Sequence, residues 1–493
     1  MQPFDVVVVG AGNAGLCAAL SARETGARVL VLEKAPRAER GGNTAFTGGL
    51  LRFPFESIAD FKPLLPDYGD ADFSVMDVGR YTQRDFAADL DRVTEGLADE
   101  GMVQTLVGNA YPTMVWMRQR GVRWLDAKGR QSFRDENGVY HFFGNLILEA
   151  VGGGQGLSDQ LFDIADRGGV EIAYDTKAVS LQINDQGAIT GIRVRGPEGY
   201  STIVCSAVVL AAGGFEANRE MRTRYLGPDW ELAKVRGTRF NTGDAIRAAL
   251  EIGAQPYGHW SCCHAVAWDY LADDVGDLRI GDLHQKHSYP IGIIVNRDGK
   301  RFVDEGADFR NYTYAKYGRE ILRQPGRQAF QIFDSKTVPM LRDEYRIRQA
   351  TRVQAQTIEE LAEGLMIDTA GLKQTVEAFN AAIQPGEFKP SVLDGKRTVG
   401  IEPPKSNWAV PIDQPPFEGY AVTCGITFTF GGLRIDTRAQ VLDTENRPIP
   451  GLYAAGELVG GLFYYNYPGG SGLMAGAVFG RLAGASAAAA AVG

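Results

Sequence analysis

The feature that most constrains the fold is a glycine-rich turn between a strand and a helix near the start of the chain. The β-branched run 5–9 predicts a strand buried on both faces of a parallel sheet. Gly10, Gly12 and Gly15 follow it and precede apolar residues at helical spacing and a second apolar run. In such a unit the three glycines serve a tight turn, a close approach to a pyrophosphate, and close packing of helix on strand. We therefore predict a dinucleotide site in an α/β fold.

An acidic residue, Glu33, ends the second predicted strand. A carboxylate at this place accepts hydrogen bonds from ribose hydroxyls and repels a 2′-phosphate. The helix that begins after Gly12 offers free N–H groups and the positive end of its dipole to phosphates. The pattern therefore disfavours NADP.

Further glycine-rich segments occur at both ends of the chain. Residues 40–49 combine four glycines with three hydrogen-bonding side chains, which lets backbone approach a flat ring. Far along the chain, a short apolar run ends in Gly456 and Glu457, and residues 469–472 open the last predicted helix. This second helix N-terminus is a further candidate anion site.

Composition narrows the classes of function. The 493 residues carry 51 basic and 60 acidic side chains, and the net charge of −9 argues against a general nucleic-acid binder. The 61 glycines follow no collagen period. Five cysteines without a metal-type pair suit a reducing compartment, and the N-terminus has no secretion signal, so we expect a cytoplasmic protein. The apolar stretch 452–482 is interrupted by polar residues and glycines and is a poor membrane span.

Sequence patterns divide the chain into several parts. A charged segment at about 56–140 has apolar residues at helical spacing and predicts a helical insertion, whereas 170–210 is rich in strand patterns. Residues 255–350 are mixed and rich in aromatic and basic side chains, which indicates a separate lobe. Helical patterns at 356–383 and a proline-rich connector at 385–416 precede the glycine-rich C-terminal part.

A set of short motifs along nearly the whole chain matches a known group. The motifs are the turn at 10–15 and the segments 41–44, 211–214, 242–244, 296–302, 430–432, 454–457 and 469–473. In this spacing the chain resembles the fumarate reductase/succinate dehydrogenase flavoprotein family. Its segment 465–481 looks most like tricarballylate dehydrogenases, and the 3-ketosteroid Δ1-dehydrogenases are more distant.

The resemblance implies an α/β fold class in which a Rossmann-like FAD-binding domain carries a mixed α+β capping domain. The FAD-binding domain is expected at 1–235 and 356–493, and the capping domain at 236–355.

The family's cofactor is FAD. The positions that match its contacts are Gly10, Gly12, Ala14, Gly15, Glu33, Lys34, Gly42, Asn43, Thr44, Gly49, Val179, Asp244, Glu457, Ser471 and Leu473. Where succinate dehydrogenases place a histidine for covalent attachment, this chain has Asn43, and an amide cannot make that bond. We therefore expect non-covalent FAD.

Substrate-facing residues are implied by the same resemblance. Arg310 follows the matched segment 296–305 and is the candidate for the family's proton-transfer arginine. His264 matches a substrate-binding histidine, and Arg301 is a further candidate cation for substrate carboxylates.

Several positions depart from the family pattern. A second histidine falls on Thr427 or Phe428, and the substrate-clamping arginine falls on Tyr467. The acidic relay upstream falls on Gln285 and Ser288. Fumarate itself is therefore not the expected substrate.

The expected enzyme is an FAD-dependent dehydrogenase that introduces a C=C bond next to a carboxylate, converting tricarballylate to aconitate. Arg310 or Tyr467 would take the proton; arginine is almost always protonated and so is a poor resting base, which keeps the tyrosine open. The alternatives are a 3-ketosteroid Δ1-dehydrogenase-like enzyme, a flavin electron-transfer subunit and a flavoprotein of cobalamin ring contraction.

Expected partners follow from the cysteine and histidine content. The sequence has no haem C-x-x-C-H motif and no iron–sulphur cysteine set, so electrons are expected to pass to a separate acceptor, a membrane-associated redox protein or a quinone. Loose membrane association through that acceptor is then expected for a cytoplasmic protein. His284 and His287 lack a nearby carboxylate to complete a metal set, so no metal is expected.

Overall fold

The larger of the two main sheets is built around the N-terminal strand. The computed structural model describes residues 4–492. Phe4–Val9 pairs in parallel with Val29–Leu32 on one side and with Gly199–Leu210 on the other. Its residues Val6–Val8 are fully buried, as the uninterrupted β-branched run predicted. In spatial order the sheet runs Gln440–Leu442, Pro448–Ala454, Gly199–Leu210, Phe4–Val9, Val29–Leu32 and Glu171–Ala173.

Two antiparallel strands branch from the strand Gly199–Leu210. Ile189–Gly196 pairs with Gly199–Leu210 and with Lys177–Ile183. Because strands from residues 4–32 and 440–454 share one sheet, both chain ends form the dinucleotide-binding domain. This arrangement confirms the predicted α/β fold class.

Helices cover the larger sheet. Asn13–Arg23 and Ser471–Val492 pack on the sheet itself, and Gly153–Arg167 packs against Asn13–Arg23. The C-terminal helix packs closely on the first: a Cβ on Gly480 would lie 2.3 Å from the Ala14 carbonyl oxygen, and one on Gly484 would lie 2.1 Å from that of Ala18. The segment Ser471–Ala491 is long and apolar enough to cross a membrane, but 61% of its most apolar window is buried inside the protein. The apolar side chains of this helix are thus mostly packed in the protein core.

The predicted insertion at about 56–140 contains helices and short strands. Its helices are Asp70–Ser74, Gln83–Val93, Glu100–Arg120 and Lys128–Gln131. The short strands are Met76–Asp77, Trp124–Asp126, Ser132–Arg134 and Tyr140–Phe142, and Leu148–Ala150 pairs with one of them just beyond the insertion.

The second sheet belongs to the capping lobe and is built around one long strand, Phe417–Leu433. Along its length this strand pairs with Pro256–Asp269, Gln328–Phe333, Lys234–Val235 and Arg352–Ala355. Ile293–Val295 completes the sheet beside Gln328–Phe333. The remaining helices are Arg219–Leu226, Asp244–Glu251, Tyr314–Leu322, Ile358–Leu365 and Thr369–Ala382.

The extent of the capping lobe differs from the predicted boundary at residue 355. Leu361, Leu372 and Phe379, from the two helices after that boundary, share an apolar core with Ile332 and Phe417 of the second sheet. The lobe therefore continues to about residue 433, where the chain returns to the larger sheet. The central strand was assigned to the wrong side of the boundary because its partners are distant in sequence.

Candidate active site

A continuous cavity runs from the first helix of the dinucleotide-binding domain to the capping lobe. Residues from both chain ends and from the capping lobe line it. The predicted residues that line it are Gly10, Gly12, Ala14, Glu33, Lys34, Gly42, Asn43, Thr44, Asp244, His264, Arg310, Glu457, Tyr467 and Leu473. The cavity therefore joins the predicted dinucleotide residues to the predicted substrate-facing residues.

Two helix N-termini open onto this cavity. Gly12 precedes the helix Asn13–Arg23, and a Cβ at this position would meet no atom closer than the Thr44 hydroxyl at 3.6 Å. Gly470 and Gly472 line the cavity at the start of the C-terminal helix. The open backbone at Gly12 beside a positive helix end suits a pyrophosphate, and the start of the C-terminal helix adds a second positive end.

Glu33 occupies the predicted position beside the first turn. Its two carboxylate oxygens accept hydrogen bonds from the N–H groups of Ala11 at 3.0 Å and Ala35 at 2.8 Å. Burial raises the pKa of Glu33, although these N–H groups and Lys34 oppose that shift. The side chain is thus fixed at the cavity wall, with remaining lone pairs available to ribose hydroxyls.

Asp244 and two lysines close the same end of the cavity. The carboxylate lies 2.8 Å from the Lys34 ammonium and 2.7 Å from that of Lys177. Burial alone would raise its pKa, but the hydrogen bonds from Lys177 and Lys34 lower the pKa of Asp244 to about 2. Asp244 therefore stays charged and holds both cations against the wall.

Asn43 links the second glycine-rich segment to a buried acidic pair. Its amide donates to Glu216 at 2.6 Å and to the Thr427 carbonyl at 2.9 Å. Asn241 donates to the same Glu216 oxygen at 2.7 Å and lies 3.5 Å from Glu457. Burial and the neighbouring Glu216 raise the pKa of Glu457 well above its ordinary value. The proximity of Glu216 therefore favours the neutral form of the Glu457 carboxyl group.

Four of the predicted cofactor residues do not line the cavity. A Cβ on Gly15 would lie 1.9 Å from the Gly10 carbonyl, so this glycine serves helix–strand packing. Gly49 is pressed against Gly153, and Gly48 lines the cavity in its place. Val179 and Ser471 also lie off the cavity wall. Their sequence neighbours line it instead: Lys177 and Ala178 before Val179, and Gly470 and Gly472 on either side of Ser471.

At the other end of the cavity, three predicted residues converge. Arg310 begins a short 3₁₀ helix of the capping lobe, His264 lies on the strand Pro256–Asp269, and Tyr467 precedes the C-terminal helix. The ring centroids of His264 and Tyr467 are 4.8 Å apart. Tyr314, which sequence reasoning missed, contacts both rings.

Arg310 is a buried guanidinium without an acidic partner among the described hydrogen bonds and ion pairs. It is 9% exposed, its Nε has no hydrogen-bond partner within residues 4–492, and one Nη donates to the Arg130 carbonyl at 3.4 Å. Burial and the neighbouring Arg342 lower the pKa of Arg310 to about 9. The side chain thus has donors to spare for an anion in the cavity.

The other cations at this end have acidic partners. Arg236 lies 2.5 Å from Asp282, and Arg342 lies 3.0 Å from Glu344. The Arg130 guanidinium is 3.8 Å from Glu149. These three arginines reach the cavity from separate segments, and their convergence was not visible in the sequence.

Two imidazoles complete this end. His264 and His287 are buried, and the pKa of each lies well below its ordinary value because of burial and nearby guanidinium groups. Both are therefore neutral. His287 was considered in the sequence only as part of a metal pair, whereas its ring lines the cavity.

Arg301 does not belong to the site, and its assignment is corrected. Its guanidinium lies 2.5 Å from Glu305 and donates to the Pro403 carbonyl at 2.7 Å. The side chain is 4% exposed and is absent from the cavity wall. The pair Arg301–Glu305 ties the loop to the segment around Pro403, a structural role that a matching motif cannot distinguish from substrate binding.

The residues fit the cofactor that the sequence pattern implies. Glycine backbone at Gly10, Gly12 and Gly42 lines one end, beside the open helix N-terminus and Glu33. A side chain on Gly10 would clash with Ala211, because its Cβ would lie 2.4 Å from that carbonyl oxygen. When bound, FAD would be held by these residues at its adenosine and pyrophosphate end, and its ring system would reach toward Asn43 and Tyr467.

Comparisons with known proteins agree with this reading. The family described as FAD binding domain matches residues 5–473. The chain is 30% identical to the "Probable fumarate reductase Ifc3" of Shewanella frigidimarina over 99% of this chain and 75% of that protein. It is also 30% identical to the "Urocanate reductase" of Eggerthella lenta over 98% of this chain and 74% of that protein.

Solved structures show the same architecture. The open conformation of a flavocytochrome c3 fumarate reductase superposes with a TM-score of 0.73 at 28% identity, covering 100% of this chain and 80% of that one. The 3-ketosteroid delta1-dehydrogenase of Sterolibacterium denitrificans gives a TM-score of 0.75 at 24% identity, covering 99% and 100%. The chain therefore belongs to the FAD binding domain family and is a flavin-dependent oxidoreductase of the fumarate reductase group.

Proposed function

We propose that this enzyme removes hydrogen from a carbon–carbon bond next to a carboxylate, with tricarballylate as substrate and aconitate as product. Bound FAD supplies the hydride acceptor at its N5 atom. The residues of the chain bind and orient the carboxylates, exclude water and accept the proton.

The observation that carries the proposal is the unpaired guanidinium of Arg310. Its acidic neighbour, Glu344, pairs with Arg342, so the Arg310 guanidinium forms no ion pair among the described contacts. A buried cation with free donors is costly unless an anion arrives, and a carboxylate matches the guanidinium fork in two parallel hydrogen bonds. Three further guanidinium groups line the cavity, those of Arg236, Arg342 and Arg130, and each pairs with a carboxylate. Together they form a positively charged surround of the site. A substrate with more than one carboxylate suits this surround.

Two residues are candidates for the proton. The pKa of Arg310, lowered to about 9 by burial and Arg342, brings an arginine within reach of proton transfer at mildly alkaline pH. Burial raises the pKa of Tyr467, which makes its phenolate scarce near neutral pH. We therefore favour Arg310 as the proton acceptor and Tyr467 as a positioning group. The Arg310 cation attracts the carboxylates into the cavity, and its deprotonated fraction accepts the proton while the paired arginines keep the carboxylates in place.

A second candidate function rests on the tyrosine pair in the cavity. Tyr314 and Tyr467 share a hydrogen bond with their hydroxyl oxygens 2.5 Å apart. Paired phenols beside a flavin are suited to polarising a ketone and taking a proton from the adjacent carbon, as a 3-ketosteroid Δ1-dehydrogenase requires. Its apolar substrate would leave Arg310 without an anion, so it ranks second.

Electrons from the bound cofactor are proposed to pass to a separate membrane-associated redox protein or a quinone, with the enzyme in the cytoplasm. The test of the proposed function is anaerobic bleaching of the flavin by tricarballylate, succinate and a 3-ketosteroid in parallel. We expect tricarballylate to bleach the flavin and the Arg310→Met variant to lose this response while keeping its FAD. Bleaching by the 3-ketosteroid alone would instead support the second candidate.

A further inference from the structure

His287 is a buried imidazole whose two ring nitrogens have no hydrogen-bond partner among the described residues. Its ring lines the substrate end of the cavity and lies edge-on to Tyr314, with the ring centroids 4.8 Å apart. Buried polar atoms in native proteins nearly always have a partner. Two free nitrogens on one buried ring in a cavity therefore indicate a place for a ligand.

In the segment around His287, alternate side chains point into the cavity and away from it. Gln285 and His287 line the cavity, two residues apart. Lys286, which lies between them, donates to the Glu344 carbonyl at 2.9 Å. His284, which precedes them, packs edge-on against Trp268 with ring centroids 5.5 Å apart. The two histidines thus point to different surroundings, and His284 provides a matched control.

The charges that face His287 come from several elements. They are the guanidinium groups of Arg310, Arg236 and Arg342, together with the imidazole of His264. Asp282 is bound to Arg236, and Glu344 to Arg342, whereas Tyr314 contacts the ring itself. In the free site these cations and burial keep the imidazole neutral. An arriving polycarboxylate would reverse the local potential and favour the imidazolium.

We propose that His287 binds a carboxylate of the substrate and takes up one proton from solvent when a polycarboxylate enters the site. This inference rests on the proposed function, because it requires a substrate with more carboxylates than Arg310 can hold. The neutral ring gains a proton at one nitrogen and donates a charge-assisted hydrogen bond to the carboxylate. His287 is thereby a specificity-determining residue for polyanionic substrates over monocarboxylates.

The sign of the pH dependence follows from linkage. If the bound state holds one more proton than the free enzyme, affinity is greatest at low pH. It then falls by up to about tenfold per pH unit as pH rises toward the pKa of the bound imidazole. Above about pH 7 the carboxylates of the ligand are ionised, so their own titration does not interfere.

The test uses trans-aconitate and the oxidised holoenzyme, because a product-like tricarboxylate binds without reducing the flavin. Calorimetric titrations at about pH 7.5 in buffers of different ionisation enthalpy give the number of protons taken up. We expect about one proton for the wild type and for His284→Gln. For His287→Gln we expect no uptake and roughly 10–100-fold weaker binding, the loss of one charged hydrogen bond.

The outcomes separate this inference from the proposed function. If trans-aconitate does not bind the wild type and tricarballylate does not bleach its flavin, both proposals fail. If trans-aconitate binds with unchanged proton uptake in His287→Gln, or if uptake is lost only in His264→Gln, the inference about His287 is overturned and the proposed function stands. If His287→Gln does not retain FAD, His287→Asn and the pH dependence of wild-type affinity decide: a flat affinity between about pH 7 and 8.5 overturns the inference.

Discussion

The hydroxyl oxygens of Tyr314 and Tyr467 lie 2.5 Å apart, one on the first helix turn of a capping-lobe helix and the other just before the C-terminal helix. This hydrogen bond joins the two lobes across the substrate end of the cavity. Burial raises the pKa of both hydroxyls, so both tyrosines are neutral near pH 7. The pair is therefore better suited to holding the two lobes in place around the substrate than to accepting a proton.

Removal of the Tyr467 hydroxyl tests this assignment. We expect Tyr467→Phe to slow flavin reduction by no more than about tenfold, a barrier change of about 1.4 kcal/mol, because Arg310 still takes the proton. Arg310→Lys keeps a charge but loses the planar fork and should slow the reaction much more. Single-turnover flavin reduction under anaerobic conditions measures both rates, with Tyr314→Phe as the matched control. A loss of several orders of magnitude in Tyr467→Phe alone would make the tyrosine the base.

The pKa of Arg310 also predicts a pH profile. Burial and Arg342 lower this pKa to about 9, and dehydrogenation needs the deprotonated form. The kcat/KM for flavin reduction, which reports the free enzyme, should therefore rise with pH, about tenfold per unit, and level off near pH 9. In the opposite direction the protonated form is needed, so the rate of alkene reduction should fall above about pH 9. Tyr467→Phe should keep this profile; a profile that disappears in that variant contradicts the assignment.

Loss of the Glu33 carboxylate should weaken FAD binding. A charged hydrogen bond to a ribose hydroxyl contributes about 1.5–3 kcal/mol, so Glu33→Ala should raise the FAD dissociation constant roughly 10–100-fold. The same change removes the acceptor of the Ala11 and Ala35 N–H groups and should also lower apoprotein stability. Glu33→Gln keeps one acceptor and separates the two effects. Fluorescence titration of the apoprotein with FAD and thermal unfolding without FAD measure them; an unchanged dissociation constant would contradict the ribose contact.

The parts of the fold that were predictable are those coded by local patterns. The turn Gly10–Gly15 and its flanking strands follow from β-branched runs and glycine spacing, and the structure has them where the sequence placed them. The strand Phe417–Leu433 was missed as part of the capping lobe because it pairs with Pro256–Asp269, some 160 residues earlier in the chain. Such long-range pairing leaves no local signal.

The same division holds for the site. The glycine backbone of the cavity wall at Gly10, Gly12 and Gly42 could be predicted because each glycine serves its own neighbourhood. The positively charged surround of the site could not be predicted. Its arginines, Arg130, Arg236 and Arg342, come from three separate segments that meet only in the folded chain. For His287 the sequence offered one indication: it lies two residues after Gln285 in a non-helical segment, so the two side chains point the same way. Nothing in the sequence indicated that this side of the segment would meet the cavity.

The chemistry of Asn43 predicts how the cofactor is held. Its amide donates to Glu216 and Thr427, and its oxygen accepts from the Thr238 N–H, so the side chain is fixed by hydrogen bonds and has no nucleophilic atom. Acid precipitation of the holoenzyme should therefore release all FAD into the supernatant. The absorbance of supernatant and pellet measures this; a yellow pellet would show covalent attachment at another residue.

We expect replacement of Arg301 to lower the stability of the protein without changing substrate binding. Its guanidinium pairs with Glu305 at 2.5 Å, and both side chains are almost fully buried. Replacing one member of a buried pair leaves an uncompensated charge and costs about 3–5 kcal/mol of unfolding free energy. Arg301→Met should therefore unfold at lower denaturant concentration, whereas the KM for substrate in the folded fraction should stay within about twofold of wild type, a change of about 0.4 kcal/mol. The double variant Arg301→Met/Glu305→Gln removes the stranded carboxylate and should recover part of the loss. A large rise in KM with unchanged stability would return Arg301 to the substrate site.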